Sequence, residues 1–137
     1  KQIKAGVDVI YHASGASGVG MLEAAAANKV LAIGVDSDQS LTATDEQKPY
    51  ILTSMLKRVD DSVYETIKDL VEGRFEGGYR VFGLNDDGVG YAVNDFNKDL
   101  ISDIQPKLEE LKEKVVNGEI KVPADKNEYE EFLKTLK

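Results

Sequence analysis

The sequence predicts an α/β fold built on a parallel sheet, and three observations carry that prediction. Residues 7–13 ("VDVIYHA") are a β-branched and aromatic run of the kind that forms strands. An alanine-rich stretch of helical length follows at residues 19–28. Residues 30–35 ("VLAIGV") are then almost wholly apolar, the pattern of a strand covered on both faces. A strand, a helix and a strand with short joints make a βαβ unit, in which the two strands run parallel through a right-handed crossover.

The remaining elements follow in order. "KQIKAG" reads as the last turn of a helix closed by Gly6, so the pattern is entered part-way and an upstream portion is expected to precede it. After a polar loop, "YILTSML" (50–56) is a third short strand. Residues 59–72 repeat apolar side chains at Val59, Val63, Ile67, Leu70 and Val71, an amphipathic helix ended by Gly73. "YRVFGLNDDGVGYAV" predicts a hairpin, with strands at 79–84 and 89–93 and a turn on "NDDG". Pro106 suits the first position of a helix running to Asn117, capped by Gly118. "GEIKVP" is expected to be extended. The last segment has an Asp125-x-x-Glu128 cap and an apolar face of Tyr129, Phe132, Leu133 and Leu136. The organisation expected is a βα core at 1–73, a hairpin and long helix at 74–123, and a terminal helix at 124–137.

Bulk composition narrows the functions available. With 137 residues, 42% apolar and 31% charged, the chain is long enough for one domain with its own core. A net charge of −8 argues against binding nucleic-acid backbones or anionic membranes. No stretch approaches the ~20 apolar residues that span a bilayer. The absence of cysteine excludes disulfides, zinc–thiolate sites and thiol catalysis, and histidine chemistry would rest on His12 alone. No cofactor is expected.

In open parallel sheets, ligands bind beyond the carboxyl ends of the strands. "HASGASGVG", "DSDQ" and "TSMLKR" all fall there. The loop Gly15-x-x-Gly18-x-Gly20 brings backbone amides to a helix N-terminus. It matches neither the dinucleotide nor the P-loop pattern, and its glycines equally permit a tight turn. Asp36 and Asp38 are more informative: a carboxylate accepts hydrogen bonds from both hydroxyls of a vicinal diol, as in ribose. Aspartate also caps turns, a reading that weighs more for Asp38. Lys57 offers a charged donor across the same crevice, with Arg58 as the alternative. His12 reads as a packed strand residue rather than a ligand, and "NDDG" as a turn.

An apolar strand ending in Asp-x-Asp also resembles the first motif of haloacid-dehalogenase-type phosphotransferases, where magnesium bridges a nucleophilic and an acid/base aspartate. Ser54, Lys57 and Asp86–Asp87 would supply the other motifs. The spacing opposes this, because Ser54 and Lys57 lie three residues apart and no threonine follows Asp38.

Taken together, "GVDVIYHASGASGVGMLEAA", "AIGVDSDQ", "LTSMLKRVDDSVYETIKDL", "FGLNDDGVGYAV" and "GEIKVP" resemble the C-terminal part of the basic membrane protein family. These are substrate-binding lipoproteins of ABC transporters and include bacterial purine-nucleoside receptors. The resemblance runs from Gly6 to about Pro123. It implies an incomplete Rossmann-like lobe of a type I periplasmic-binding-protein fold, with ligand held between two lobes and no bond broken. It implies that Asp36 grips ribose hydroxyls beside Asp38, that Lys57 reaches the nucleoside, and that Ser14 and Gly15 line the cleft. It also implies a permease partner and an extracytoplasmic lipoprotein whose anchor is not in this chain. A binding fold with a signalling or structural role is the remaining alternative. The other lobe, with the aromatic stack for the base, is not in this sequence. Weak binding and self-association through exposed apolar surface are therefore expected of the chain alone.

Overall fold

The computed structural model describes residues 1–135. These divide into two compact units, residues 1–103 and residues 104–135.

The first unit holds a four-stranded sheet in the order β1-β2-β3-β4. Its strands are β1 (Val9–Tyr11), β2 (Leu31–Asp36), β3 (Ile51–Lys57) and β4 (Val89–Tyr91). β1 and β2 are parallel and joined by helix α1 (Gly18–Ala27), as the βαβ reading expects. β2 and β3 are also parallel, but two 3₁₀ turns, Gln39–Leu41 and Lys48–Tyr50, replace a crossover helix. Leu22 and Ala25 of α1 pack on Ala32 and Ile51, with Met21 and Ala43 at the margin. The N-terminal stub is a single 3₁₀ turn, Ile3–Ala5, closed by Gly6 at φ +86°.

Helix α2 (Val59–Val71) forms where the 3.6-residue period places it. Its apolar stripe does not face a core. Val63 is 51% exposed, Ile67 56% and Leu70 65%. Coverage of the sheet is likewise uneven: Ala32, Gly34 and Val35 are buried, whereas Leu31 and Ile33 are half-buried.

The expected hairpin is not formed. Residues 79–83 have no regular structure, and Leu84–Asp86 is a 3₁₀ turn. Asp69 on α2 accepts hydrogen bonds from Arg74 at 3.0 Å and Arg80 at 2.7 Å, and Arg80 lies 4.6 Å from the Phe82 ring centroid. These contacts tie the segment to α2 instead of to a neighbouring strand. β4 pairs antiparallel with β3, matching Met55 to Tyr91 and Lys57 to Val89. That edge offers more than a two-stranded ribbon would, since Thr53 Oγ1 and Asn97 Nδ2 both donate to the Ala92 carbonyl. A short helix, α3 (Lys98–Ile101), seats the fully buried Ile101.

The second unit contains α4 (Gln105–Val116), with Pro106 in its first turn, and α5 (Lys126–Thr135). The predicted α5 cap is present: Asp125 Oδ1 accepts from the Glu128 amide at 2.9 Å, and Glu128 Oε2 accepts from the Ala124 amide at 2.8 Å. "GEIKVP" is not a strand. Leu136, expected on the apolar face of this helix, lies outside the described residues.

Candidate functional site

β2 and β3 are adjacent and parallel, so their last residues emerge side by side at the C-terminal edge of the sheet. Those residues are Asp36 and Lys57. Lys57 Nζ lies 2.8 Å from Asp36 Oδ1, and the two side chains are 55% and 54% exposed. An ion pair this open is worth about 0–1 kcal/mol. Both groups can therefore turn to a ligand at small cost to the fold. Together they present a carboxylate that accepts from hydroxyls and an ammonium that donates to oxygen or nitrogen.

The backbone at Asp36 is unusual. Its φ is +70°, and the Ser37 amide donates to the Val35 carbonyl at 2.9 Å, closing a γ-turn around it. The form of γ-turn with positive φ is rare and strained, and a non-glycine residue held in a sparsely populated region costs about 1–3 kcal/mol.

Beneath this turn lies a polar network anchored on two buried residues, His12 and Ser54. Gln39 Oε1 accepts from the Val35 amide at 2.9 Å and meets His12 Nε2 at 3.2 Å. The Gln39 amide donates to Ser54 Oγ at 3.1 Å, and Ser54 is 0% exposed. His12 Nδ1 lies 3.2 Å from Ser14 Oγ. Two glycines make room for this packing. A Cβ at Gly34 would stand 2.6 Å from Ser54 Oγ, and one at Gly18 would stand 1.9 Å from the His12 ring.

The predicted residues thus fall into different places. Asp36 and Lys57 are in contact. Ser14 reaches the same turn through His12 and Gln39, and Gly15, at φ +54°, starts the 3₁₀ turn Gly15–Ser17 that leads into α1. Both oxygens of Asp38 are engaged within the protein. Oδ1 accepts from the Ser40 amide at 3.1 Å and from Ser40 Oγ at 2.7 Å, while Oδ2 accepts from Asn94 Nδ2 at 2.7 Å. Arg58 turns away from Asp36: its guanidinium donates to the Asp87 carbonyl and lies 4.0 Å from Asp61. The phosphotransferase arrangement finds no geometric support, since Ser54 is sealed under the turn and Asp38 is spent on its cap. Among the described residues, no group of three or more His, Asp or Glu side chains could hold a metal ion.

Sequence reasoning missed Asn94 and Asn97. Asn97 Oδ1 accepts from the Asn94 amide at 2.8 Å, and Asn94 Oδ1 accepts from the Asn97 amide at 3.2 Å. The Asn-x-x-Asn spacing ahead of a helix was the available signal, because such side chains bond nearby backbone amides.

A family model described as ABC transporter substrate-binding protein, PnrA-like, matches residues 1–126. The chain belongs to this family. Basic membrane protein D of Borreliella burgdorferi (strain JD1) is 39% identical over 135 residues, covering 93% of this chain and 38% of that protein. The CD4+ T-cell-stimulating antigen of Listeria monocytogenes (serovar 1/2a) is 40% identical over 131 residues, covering 86% and 36%. Among solved structures, a solute-binding protein of an ABC transporter system from Aeropyrum pernix K1 superposes with a TM-score of 0.70 at 30% identity, covering 98% of this chain and 46% of that one. The PnrA-like chain therefore has the periplasmic-binding-protein-like α/β fold and spans less than half the length of these relatives. The family is one of substrate-binding proteins, not of enzymes. The "GVDSDQ" and "MLKR" segments that form the Asp36–Lys57 pair lie inside the matched region.

Proposed function

We propose that this chain supplies the part of an ABC-importer solute-binding protein that grips the ribose of a purine nucleoside or a related ligand. The observation that carries this reading is the Asp36–Lys57 pair, 2.8 Å apart and about half exposed where two parallel strands end. Asp36 would accept from the vicinal hydroxyls, and Lys57 would donate to an oxygen of the sugar once released from its partner. Ser14 and Gly15 would line the same side of the cleft. Asp38 would act from behind, fixing the loop that carries Asp36. The base would be read by residues outside this chain, in a second lobe that closes over the ligand. The whole protein would be an extracytoplasmic, membrane-anchored lipoprotein that delivers its ligand to a permease.

An amide NMR titration of the 137-residue chain with inosine, guanosine, adenosine and free ribose tests this reading. Shifts at Gly15, Asp36 and Lys57 with nucleosides at millimolar concentration, lost in Asp36→Asn, are expected. Silence that persists when the upstream lobe is restored would sink the nucleoside assignment.

A further inference from the structure

Asp36 is strained because the chain on either side of it is pinned, and one residue does most of the pinning. We propose that Gln39 is a positioning residue that holds the γ-turn at Asp36 closed and so aims the carboxylate at Lys57. The proposal rests on the reading of Asp36 as a ligand contact; the pinning itself does not.

A backbone N–H can only donate, so the Gln39 atom 2.9 Å from the Val35 amide is its carbonyl oxygen. The same oxygen faces His12 Nε2 at 3.2 Å, which places a proton on Nε2. In the neutral ring, Nδ1 is then the acceptor for the Ser14 hydroxyl at 3.2 Å. Through its own amide, Gln39 also donates to Ser54 Oγ on β3 at 3.1 Å. One residue thereby fastens the residue that follows β1, the penultimate residue of β2 and the middle of β3. Its bonds flank Asp36 on both sides, at Val35 and at Gln39 itself. Neither anchor can give way easily: His12 is 8% exposed and Ser54 0%. There is also no spare volume, since a Cβ at Gly34 would lie 2.7 Å from Gln39 Oε1. With both flanks fixed, the turn must be made at position 36, whatever residue stands there.

The test compares Asp36→Gly with Asp36→Ala by thermal unfolding of the full chain, in the parent and in two backgrounds. Both substitutions remove the carboxylate, so the difference between them reports how strongly position 36 is held at positive φ, where only glycine is at ease. The glycine variant is expected to melt higher than the alanine variant in the parent. The same order is expected in Gln39→Glu, which keeps an acceptor oxygen for Val35 and His12. In Gln39→Ala the order should vanish or reverse, because a relaxed backbone favours alanine. A glycine advantage that persists in Gln39→Ala, or that is absent from the parent, overturns the proposal. Should Gln39→Ala fail to fold, Ser54→Ala removes the acceptor for the Gln39 amide and allows the same comparison.

An inosine titration of the same proteins separates this proposal from the nucleoside reading. If the parent is silent with its second lobe restored but the glycine advantage is lost in Gln39→Ala, the ligand assignment fails and the pinning of the turn by Gln39 stands. If the parent binds and Gln39→Ala shifts Asp36 and Lys57 equally well, the positioning role fails.

Discussion

Asp38 and Asn94 stand 56 positions apart in the chain and meet through a 2.7 Å hydrogen bond, the asparagine amide donating to Oδ2. The same amide nitrogen reaches Ser40 Oγ at 2.9 Å. This contact joins the loop after β2 to the loop after β4. It makes Asp38 a brace for the loop that follows Asp36.

Removing that contact should weaken the fold. Asn94→Ala leaves an oxygen of Asp38 without its partner and is expected to cost about 1–3 kcal/mol, read from urea unfolding. A change below about 0.5 kcal/mol, the ordinary range for surface substitutions, would mean that Asp38 is solvated and open to a ligand after all.

Lys57→Met should behave in the opposite way. The pair it breaks is half exposed, so stability is expected to change by less than about 1 kcal/mol in the same measurement. Nucleoside-induced shifts at Asp36 should nevertheless disappear. A large loss of stability would show that the lysine holds the structure together rather than serving a ligand.

On α4, one carboxylate is held between two ammonium groups. Glu110 accepts from Lys107 at 2.7 Å and from Lys114 at 2.6 Å, and these ammonium groups lower its carboxyl from 4.5 to about 2. A carboxylate whose value is depressed in the folded state contributes stability above its unfolded value, and that contribution is lost as pH falls through the folded one. The window is therefore from about pH 4.5 down to about 2. A side-chain carboxyl NMR titration should find the Glu110 midpoint well below those of unpaired glutamates, and Lys114→Ala should raise it. An ordinary midpoint would mean that the lysines are not held over the carboxylate in solution.

Val63, Ile67 and Leu70 are each more than half exposed along one stripe of α2. The chain is expected to self-associate through this stripe, with light scattering showing a mass that rises with concentration. Ile67→Lys should return it to a monomer. A parent that stays monomeric at high concentration would remove the stripe from consideration as a contact surface.

What could be read in the sequence was whatever depends on neighbours along the chain. The βαβ unit, the α5 cap and the α2 period are all short-range patterns, and all are present in the fold. Asp36 and Lys57 could be picked out because parallel strands put their ends at one edge, so position along a strand was enough. The 79–84 segment misled because its alternation suits a strand, yet strand formation needs a partner. β4 took the edge of β3 instead, while Asp69 held Arg74 and Arg80. The roles of Gln39 and Asn94 were hidden for a related reason. A half-buried polar side chain bonded beneath a loop looks, in sequence, the same as one in water.

The strands sit across the sheet in the order in which they occur along the chain. Among the described residues, no strand has to be threaded between two that are already paired. Each can join the free edge left by the one before it, so the sheet can grow outward in the direction of synthesis without undoing any earlier ladder. Each strand partner is also the nearest strand in the chain. That keeps loop-closure costs low and favours rapid assembly for a parallel sheet, a topology that is otherwise slow to form.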